Sequence, residues 1–229
     1  MINKLINKFH YKSKTIFRQI FYYFRFLKNA KKDHWNVKNF NKYEDYLSLQ
    51  KEKTLDQNRR IKWLNDEWDE KVNFFNKIFT SVFKEIKLSQ KSKCLCIGAR
   101  TGQEVYALQK LGFSAIGIDI VECKPLVEIG DMHNMKYSND TFDFVFCNIL
   151  DHSLYPDKSI SEIERVLKTN GYIFIQVTIG EATDKYGVTE IKSEKAILGL
   201  FKKSKILISR SIKHYSIAQN WEIILKKIN

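Results

Sequence analysis

The feature that most constrains the fold is an alternating pattern between Lys93 and Val177, in which short apolar runs are separated by segments of helical period. The runs end at Gly98, Asp119 and Asn148. Strands that alternate with helices form a parallel sheet, because parallel neighbours need a crossover connection, and ligands bind at the carboxyl ends of those strands. The pattern therefore predicts an α/β fold with a binding site along one edge of its sheet.

The first of these runs passes into a turn with two glycines, Gly98-Ala99-Arg100-Thr101-Gly102, and a helical pattern follows. Glycine lets the backbone turn tightly and bring bare N–H groups against a bound cofactor. A dinucleotide fingerprint needs Gly-x-Gly-x-x-Gly, and this segment lacks the second and third glycines in that register. The loop therefore favours a bound cofactor but argues against a nicotinamide dehydrogenase.

Several segments of this region, in their order and spacing, resemble motifs of the class I S-adenosylmethionine-dependent methyltransferases, in particular methyltransferases of type 11. They include the strand and loop of residues 94–102, the fourth strand within residues 141–148, and the turn of residues 167–173 into the fifth strand. The resemblance implies a Rossmann-like, seven-stranded, mostly parallel sheet with helices on both faces, preceded by N-terminal helices. It also implies that the cofactor is S-adenosyl-L-methionine.

The resemblance assigns cofactor-binding residues as well. Asp119 matches the acid that binds both ribose hydroxyls, and Asp131 matches the acid before the adenine amine. The sequence departs from the family pattern at Cys96, where an acid is usual, and at Arg100, which replaces the middle glycine. The Arg100 guanidinium is in a position to meet the cofactor carboxylate or a substrate anion. The full predicted set is Gly98, Ala99, Arg100, Thr101, Gly102, Asp119, Ile120, Asp131, Met132 and Asn148.

The segment after the fourth predicted strand, Asn148-Ile149-Leu150-Asp151-His152, carries the candidate catalytic residues. Methyl transfer from a sulfonium mainly needs alignment of the two reactants, and a hydroxyl acceptor is helped by a general base. His152 is the first candidate for that base, because histidine ordinarily titrates near neutral pH, and Asp151 is the second. The alternative is that His152 caps the turn or lines the adenosine pocket. His133, beside Asp131, is predicted as an adenine-side contact.

The nature of the acceptor is constrained by what the same segment lacks. It has no Asn/Asp-Pro-Pro-aromatic box, which many base-amino methyltransferases carry, and this counts against methylation of a nucleic-acid base. The predicted acceptor is a small molecule, a saccharide or a lipid-linked precursor. Two alternatives stay open: a non-catalytic protein that binds S-adenosylmethionine or acts as a scaffold, and a nucleic-acid-directed methyltransferase. The four cysteines have no metal-site spacing and are predicted to be free thiols in a reducing cytoplasm, with no metal bound.

The net charge of +13 is concentrated at one end of the chain. Residues 1–42 contain eleven basic residues and one acid, a net charge of +10, which leaves +3 for residues 43–229. One apolar face in this arm repeats at helical spacing: Ile16, Phe17, Ile20 and Phe24. A basic amphipathic helix is typical of proteins that lie on an anionic membrane surface. The alternatives are packing on its own domain or a second subunit, and nucleic-acid binding. We expect a cytoplasmic protein, peripheral on the inner membrane face.

Residues 43–90 form a second predicted unit. An apolar period of 3.6 residues runs from Ile61 to Ile86 and predicts one or two helices before the first strand. In the family that the chain resembles, such helices often cover the active site, so we expect a lid; Trp63 and Trp68 are interpreted as core or lid packing. The predicted organisation is a basic arm (1–42), a helical lid (43–90) and a methyltransferase domain (91–229).

Overall fold

The computed structural model describes residues 35–180, 184–213 and 219–229. The amphipathic helix predicted within the arm lies outside these residues. The strands are β1 (Trp35–Val37), β2 (Lys93–Ile97), β3 (Ser114–Asp119), β4 (Val127–Ile129), β5 (Phe142–Cys147), β6 (Leu167–Val177), β7 (Thr189–Ile191), β8 (Ser204–Ser211) and β9 (Trp221–Lys227). The helices are α1 (Tyr43–Leu55), α2 (Gln57–Leu64), α3 (Trp68–Glu85), α4 (Gln103–Lys110), α5 (Pro156–Val166) and α6 (Glu194–Leu198), with a 3-10 turn at Leu150–His152.

Seven of the strands form one sheet, in the order β4-β3-β2-β5-β6-β9-β8. The first five of these run parallel, and β9 and β8 close the sheet as antiparallel neighbours. Ile97 pairs with Ile118 on one side and with Cys147 on the other, so the residues that follow them lie in one row at the carboxyl edge. The predicted Rossmann-like, seven-stranded, mostly parallel sheet is confirmed.

Helices cover both faces of this sheet, as its apolar strands require. On one face, Ile160 of α5 belongs to a fully buried cluster that includes Leu95 of β2. On the other face, the Phe79 ring of α3 meets the rings of Phe144 and Phe146 edge to face, with centroid distances of 6.2 and 5.1 Å. Burial of each such side chain stabilises the fold by roughly 2 kcal/mol.

The direction of α3 places its first turns beside the predicted binding site. Phe83, near the end of the helix, contacts Phe144, whereas Phe75, earlier in the helix, contacts Phe146. Phe146 is the nearer of the two strand residues to the carboxyl end of β5. The amino-terminal part of α3 therefore reaches the edge of the sheet where ligands bind in this fold class.

Within residues 43–90 the structure has three helices, where the sequence predicted one or two. The chain turns between Leu64 and Trp68, so the apolar period that begins at Ile61 changes direction there. As a result Ile61 and Leu64 are exposed, at 57% and 39% of their surface, although the pattern had placed them on the buried face. Among the described residues, no helix has the length and apolar character needed to cross a bilayer.

A short antiparallel pair, β1 with β7, lies outside the main sheet. Trp35 pairs with Ile191, is 7% exposed, and joins the same buried cluster as the sheet. The Lys38 N–H then donates to the Val188 carbonyl oxygen at 2.8 Å. Residues 35–37 had been assigned to the basic arm, and the structure places them in the folded body of the protein.

Candidate active site

A cavity of about 260 Å³ opens at the carboxyl edge of the sheet. The loops after β2, β3, β4 and β5 form one side, and α1, α3 and Asp184 form the other. Both predicted catalytic residues, Asp151 and His152, line this cavity. So do seven of the predicted cofactor-binding residues: Gly98, Arg100, Asp119, Ile120, Asp131, Met132 and Asn148.

Gly98, in the first loop, has a backbone conformation and surroundings that favour glycine. Gly98 has a φ of +76°, and a Cβ atom added there would lie 2.4 Å from the Ile149 side chain. A larger residue would therefore be strained and would clash with the loop after β5. The absence of a side chain keeps the two loops together along the wall of the cavity.

The N–H groups of this loop are less available to a ligand than the sequence suggests. Gly98 and Ala99 both donate to the Ile118 carbonyl oxygen, at 2.8 and 3.1 Å. The Arg100 N–H donates to Asp119 Oδ2 at 3.0 Å. The prediction of free donors is wrong for these three groups, because β3 continues to bond the chain beyond the end of β2.

Arg100 takes a backbone conformation that side chains rarely adopt, with a φ of +44°. That conformation costs about 1–2 kcal/mol for a residue with a Cβ atom. The hydrogen bond to Asp119 and a guanidinium placed 4.9 Å above the Trp63 ring hold the residue there. Across the part of the chain that the structure describes, the guanidinium has no carboxylate or carbonyl partner, so its charge is available to an anion in the cavity.

Asp119 ends β3 and is 8% exposed. Its Oδ2 accepts the Arg100 N–H, and its Oδ1 accepts the Val121 N–H at 3.2 Å. Burial raises the pKa of Asp119, and these backbone hydrogen bonds with the Arg100 charge oppose that rise. Each carboxylate oxygen can accept a further hydrogen bond. Asp119 therefore still has acceptor capacity toward the cavity.

Asp131 is anchored from both sides by hydrogen bonds. The Tyr43 hydroxyl of α1 donates to Oδ2 at 2.6 Å, and His133 Nδ1 lies 3.0 Å from Oδ1. Burial alone would raise the pKa of this carboxyl, but the interactions with His133 and Tyr43 outweigh burial and hold the pKa well below its ordinary range. Asp131 is therefore an ionised acceptor at the cavity wall.

His133 acts behind Asp131 and does not line the cavity. Its ring is 1% exposed, and its Nε2 accepts the Tyr155 N–H at 3.2 Å. Because Nε2 accepts a backbone proton, Nδ1 carries the ring proton and donates toward Asp131 and the Tyr43 oxygen, the latter at 2.7 Å. His133 therefore fixes the orientation of the Asp131 carboxylate.

His152 lies in the 3-10 turn after β5. Its Nδ1 is 2.9 Å from Gln50 Oε1, and its Nε2 is 3.8 Å from Asp151 Oδ2, which is too far for a hydrogen bond. Burial lowers the pKa of His152, and the Asp151 carboxylate opposes that effect in part. The imidazole is therefore neutral at pH 7, with one ring nitrogen bonded to the protein and the other facing no hydrogen-bond partner among the described residues.

A family model described as a methyltransferase domain matches residues 95–175, which run from β2 to β6. The fold is similar to that of the 1,6-didemethyltoxoflavin-N1-methyltransferase of Burkholderia thailandensis, solved with 1,6-didemethyltoxoflavin and S-adenosylhomocysteine bound. The TM-score is 0.64 at 12% identity, over 85% of this chain and 94% of that one. The chain therefore contains a methyltransferase domain, within residues 95–175. Its cofactor is S-adenosylmethionine.

Other methyltransferase structures share the fold of this methyltransferase. A protein from Methanosarcina mazei has a TM-score of 0.51 at 18% identity, over 62% of this chain and 94% of that one. One from Aquifex aeolicus has a TM-score of 0.50 at 20% identity, over 65% and 89% of the two chains. No curated protein matches the sequence.

The geometry of the methyltransferase site fits its cofactor. Gly98 lines the cavity without a side chain, Asp119 retains acceptor capacity, and Asp131 is ionised. Arg100 adds a positive charge that forms no direct ion pair among the described residues. These groups match a ligand that carries ribose hydroxyls, an exocyclic amine and a carboxylate. The assignment of each residue to its part of the cofactor stays a prediction.

Three predicted cofactor-binding residues of the methyltransferase do not line the cavity: Ala99, Thr101 and Gly102. Ala99 is fully buried, and a Cβ atom added to Gly117 would lie 2.6 Å from the Cβ atom of Ala99. The Thr101 hydroxyl donates to Gln103 Oε1 at 2.8 Å. In this structure the three residues support the loop without lining the cavity, and direct contact with the cofactor stays a prediction for them.

Sequence analysis missed the contribution of α1 to the methyltransferase site. The buried residues of this helix are Tyr46, Gln50 and Thr54, and all three line the cavity. They recur at a spacing of four residues, which is the signature of one helix face, but two of them are polar. A search for apolar periodicity does not detect this buried helix face. A search for polar and aromatic residues at i, i+4 and i+8 could have identified it.

Proposed function

We propose that the protein transfers the methyl group of S-adenosylmethionine to a hydroxyl group of a small molecule, a saccharide or a lipid-linked precursor, with His152 as the general base. The observation that carries this proposal is the position of His152. It lines the same cavity as Gly98, Asp119 and Asp131, and its Nε2 has no hydrogen-bond partner among the described residues.

The cofactor, when bound, supplies a methyl group that the sulfonium has already activated, so the protein mainly has to bind and align the two reactants. Asp119, Asp131 and Arg100 are the residues proposed to hold it. His152 Nε2 accepts the proton that leaves the acceptor hydroxyl. The lowered pKa keeps His152 neutral, and therefore able to accept a proton, near pH 7. Asp151, at 3.8 Å, stabilises the imidazolium that results.

The walls of the cavity support an acceptor of limited size. Helix α1 covers the side opposite the sheet with Tyr46, Gln50 and Thr54, and Asp184 lies beside it. The Lys53 ammonium bonds Asp184 at 2.6 Å and ties the helix to that segment. A small molecule, or the end of a saccharide or lipid headgroup, enters such a site more readily than a base within a nucleic-acid helix.

The proposal is tested with S-adenosylmethionine labelled in its methyl group, offered with hydroxyl-bearing metabolites, saccharides and lipid extracts. We expect one acceptor class to gain label. With that acceptor, His152→Ala should lower kcat by about 10²- to 10⁴-fold and leave the Kd for S-adenosylmethionine, measured by calorimetry, unchanged. Gln109→Ala, at an exposed position of α4, is the control. Unchanged turnover in His152→Ala would rule out the general-base role.

The proposed location of the protein is the cytoplasmic face of an anionic membrane, reached through the basic arm. Two sequence features support it: the net charge of +10 in residues 1–42, and the apolar face of Ile16, Phe17, Ile20 and Phe24. An acceptor that is linked to a lipid would then be methylated where it is anchored.

A further inference from the structure

Gln50 is a buried amide on α1 that joins two segments far apart in the sequence. Its side chain is 9% exposed and bonds in two directions. The Nε2 group donates to the Tyr186 carbonyl oxygen at 2.7 Å. The Oε1 atom lies 2.9 Å from His152 Nδ1.

These two contacts determine which way the amide faces. A carbonyl oxygen can only accept a hydrogen bond, so the atom of Gln50 that faces the Tyr186 oxygen must be the NH₂ group. The opposite orientation would place two oxygens 2.7 Å apart, with no proton between them. The oxygen of the amide therefore faces His152.

The orientation of the amide in turn determines the proton position on His152. Gln50 Oε1 can only accept, so His152 Nδ1 must carry the ring proton and donate it. In the neutral imidazole the other nitrogen, Nε2, then holds the free lone pair. We propose that Gln50 is the positioning residue that keeps His152 in the tautomer with its proton on Nδ1 and its lone pair on Nε2. The catalytic meaning of this tautomer rests on the proposed function, in which Nε2 is the base.

The alternative tautomer has an acceptor close at hand, so the proton position needs a restraint. Asp151 Oδ2 lies 3.8 Å from Nε2, and a small rotation of the ring would bring the two into hydrogen-bond range. The ring would then carry its proton on Nε2 and could not act there as a base. The contact with Gln50 opposes that rotation.

Gln50 can do this because α1 is attached firmly around it. The Tyr46 hydroxyl donates to the His152 carbonyl oxygen at 3.0 Å. On the other side of Gln50, the Glu52 carboxylate accepts from the Tyr186 hydroxyl at 3.1 Å and from the Lys185 ammonium at 3.0 Å. These bonds add to the attachment of the helix, whereas the contact that sets the proton position on His152 is the one with the Gln50 oxygen.

The test reads the tautomer directly from the nitrogen chemical shifts of protein labelled with ¹⁵N-histidine, with no acceptor present. The signal of His152 is assigned among the five histidines by its loss in His152→Ala. Near pH 8 the wild-type protein should show a protonated Nδ1 and a non-protonated Nε2. A proton on Nε2 in the wild-type protein would overturn the proposal.

Variants separate the role of the amide from a general role in stability. Gln50→Leu removes the acceptor and should move the proton of His152 to Nε2. Glu52→Gln weakens the contacts of the same helix with Lys185 and Tyr186 without touching His152, and it should retain the wild-type tautomer. The proposal fails if Gln50→Leu retains that tautomer, or if Glu52→Gln shifts it equally.

Gln50→Glu supplies a rescue when its carboxyl is protonated, because the carbonyl oxygen then stays opposite Nδ1 while the O–H group donates to the Tyr186 carbonyl oxygen in place of the amide. It should retain the proton on Nδ1, even if Gln50→Leu folds poorly. Once the acceptor is known, Gln50→Leu should lower kcat by about 10- to 100-fold without changing the Kd for S-adenosylmethionine, and Gln50→Glu should restore most of the loss. Full turnover in His152→Ala would refute the base while leaving the tautomer result intact, so failure of the proposed function is distinguishable from failure of this inference.

Discussion

At the scale of single residues, the site contains a carboxyl group that no motif predicted. Glu104, in the first turn of α4, is 4% exposed. Burial raises its pKa to about 7, although the charge of Arg100 works in the opposite direction. Burial raises the pKa of the Cys96 thiol, and the nearby Glu104 carboxylate adds to that rise. The family acid that is missing at Cys96 therefore has a carboxyl group nearby, supplied from the helix.

The raised pKa of Glu104 makes stability depend on pH. An acid whose pKa is higher in the folded state than in the unfolded state does not reduce the free energy of unfolding at a pH below its unfolded pKa. Its destabilising effect grows as pH rises from about 4.5 to about 7. Glu104→Gln should therefore match the wild type at pH 4.5 and exceed its free energy of unfolding by about 3 kcal/mol at pH 8.5. Urea denaturation at the two pH values measures this, with exposed Glu44→Gln as the control. Equal stability of Glu104→Gln and wild type at pH 8.5 would contradict the prediction.

Sequence reasoning identified two acids that line the cavity, because Asp119 ends one predicted strand and Asp131 comes soon after another. It could not foresee that Arg100 takes a positive φ. The compensating contacts come from Asp119 and from Trp63, which is 37 positions earlier in the chain, and pairings across such distances leave no local pattern.

At the scale of elements, α2 is attached to the cofactor loop through Trp63. The Arg100 guanidinium lies over the Trp63 ring, and the Gln103 side-chain amide donates to the Trp63 carbonyl oxygen at 2.6 Å. The segment predicted as a lid and the loop predicted to bind the cofactor are therefore in direct contact. Whatever displaces α2 also removes the support of the Arg100 side chain.

Trp63→Leu should weaken cofactor binding without unfolding the protein. The stacked cation contributes about 0.5–1 kcal/mol or more, and its loss frees the Arg100 side chain. We expect the Kd for S-adenosylmethionine to rise about three- to tenfold by calorimetry. Trp68→Leu is the matched control, since Trp68 lies in α3 and packs on Tyr106 instead. Equal weakening in both variants would mean that the loss of an aromatic ring, rather than the contact with the loop, is responsible.

Strands β2, β3 and β5 of the main sheet could be predicted from sequence because each is a mainly apolar run between turn signals. β1 and β7 could not, since each has only three residues outside the motifs of the resemblance, and three residues carry no measurable period. Helix α1 was hard to place for a different reason. Its buried face is polar because it looks into the cavity, so hydrophobic patterning gave no indication of where it packs.

At the scale of the whole molecule, the structure indicates where the basic arm can be removed. Trp35 is already part of the folded body, so a deletion should end at residue 34 and not at residue 42. Nine of the eleven basic residues in 1–42 precede Trp35. The shorter deletion therefore removes most of the charge and leaves β1 in place.

Full-length protein should sediment with vesicles that contain anionic lipid, and the protein that lacks residues 1–34 should not. Each basic residue near the surface contributes about 1 kcal/mol, and apolar insertion adds to this. High salt should weaken the binding without removing it. Retention on DNA or RNA with a steep salt dependence, and no sedimentation with vesicles, would instead favour the nucleic-acid alternative. Binding to neither would refute the membrane proposal.

The pairing of β1 with β7 has a mechanical consequence. The chain leaves the arm, forms β1, and is then bonded at Lys38 to Val188 and, through the Lys38 ammonium, to the Lys185 carbonyl oxygen. That stretch adjoins Tyr186, whose carbonyl oxygen anchors Gln50. If the arm binds a lipid surface, it joins the folded protein beside the cavity rather than far from it. The cavity would then lie near the bilayer surface, within reach of lipid headgroups.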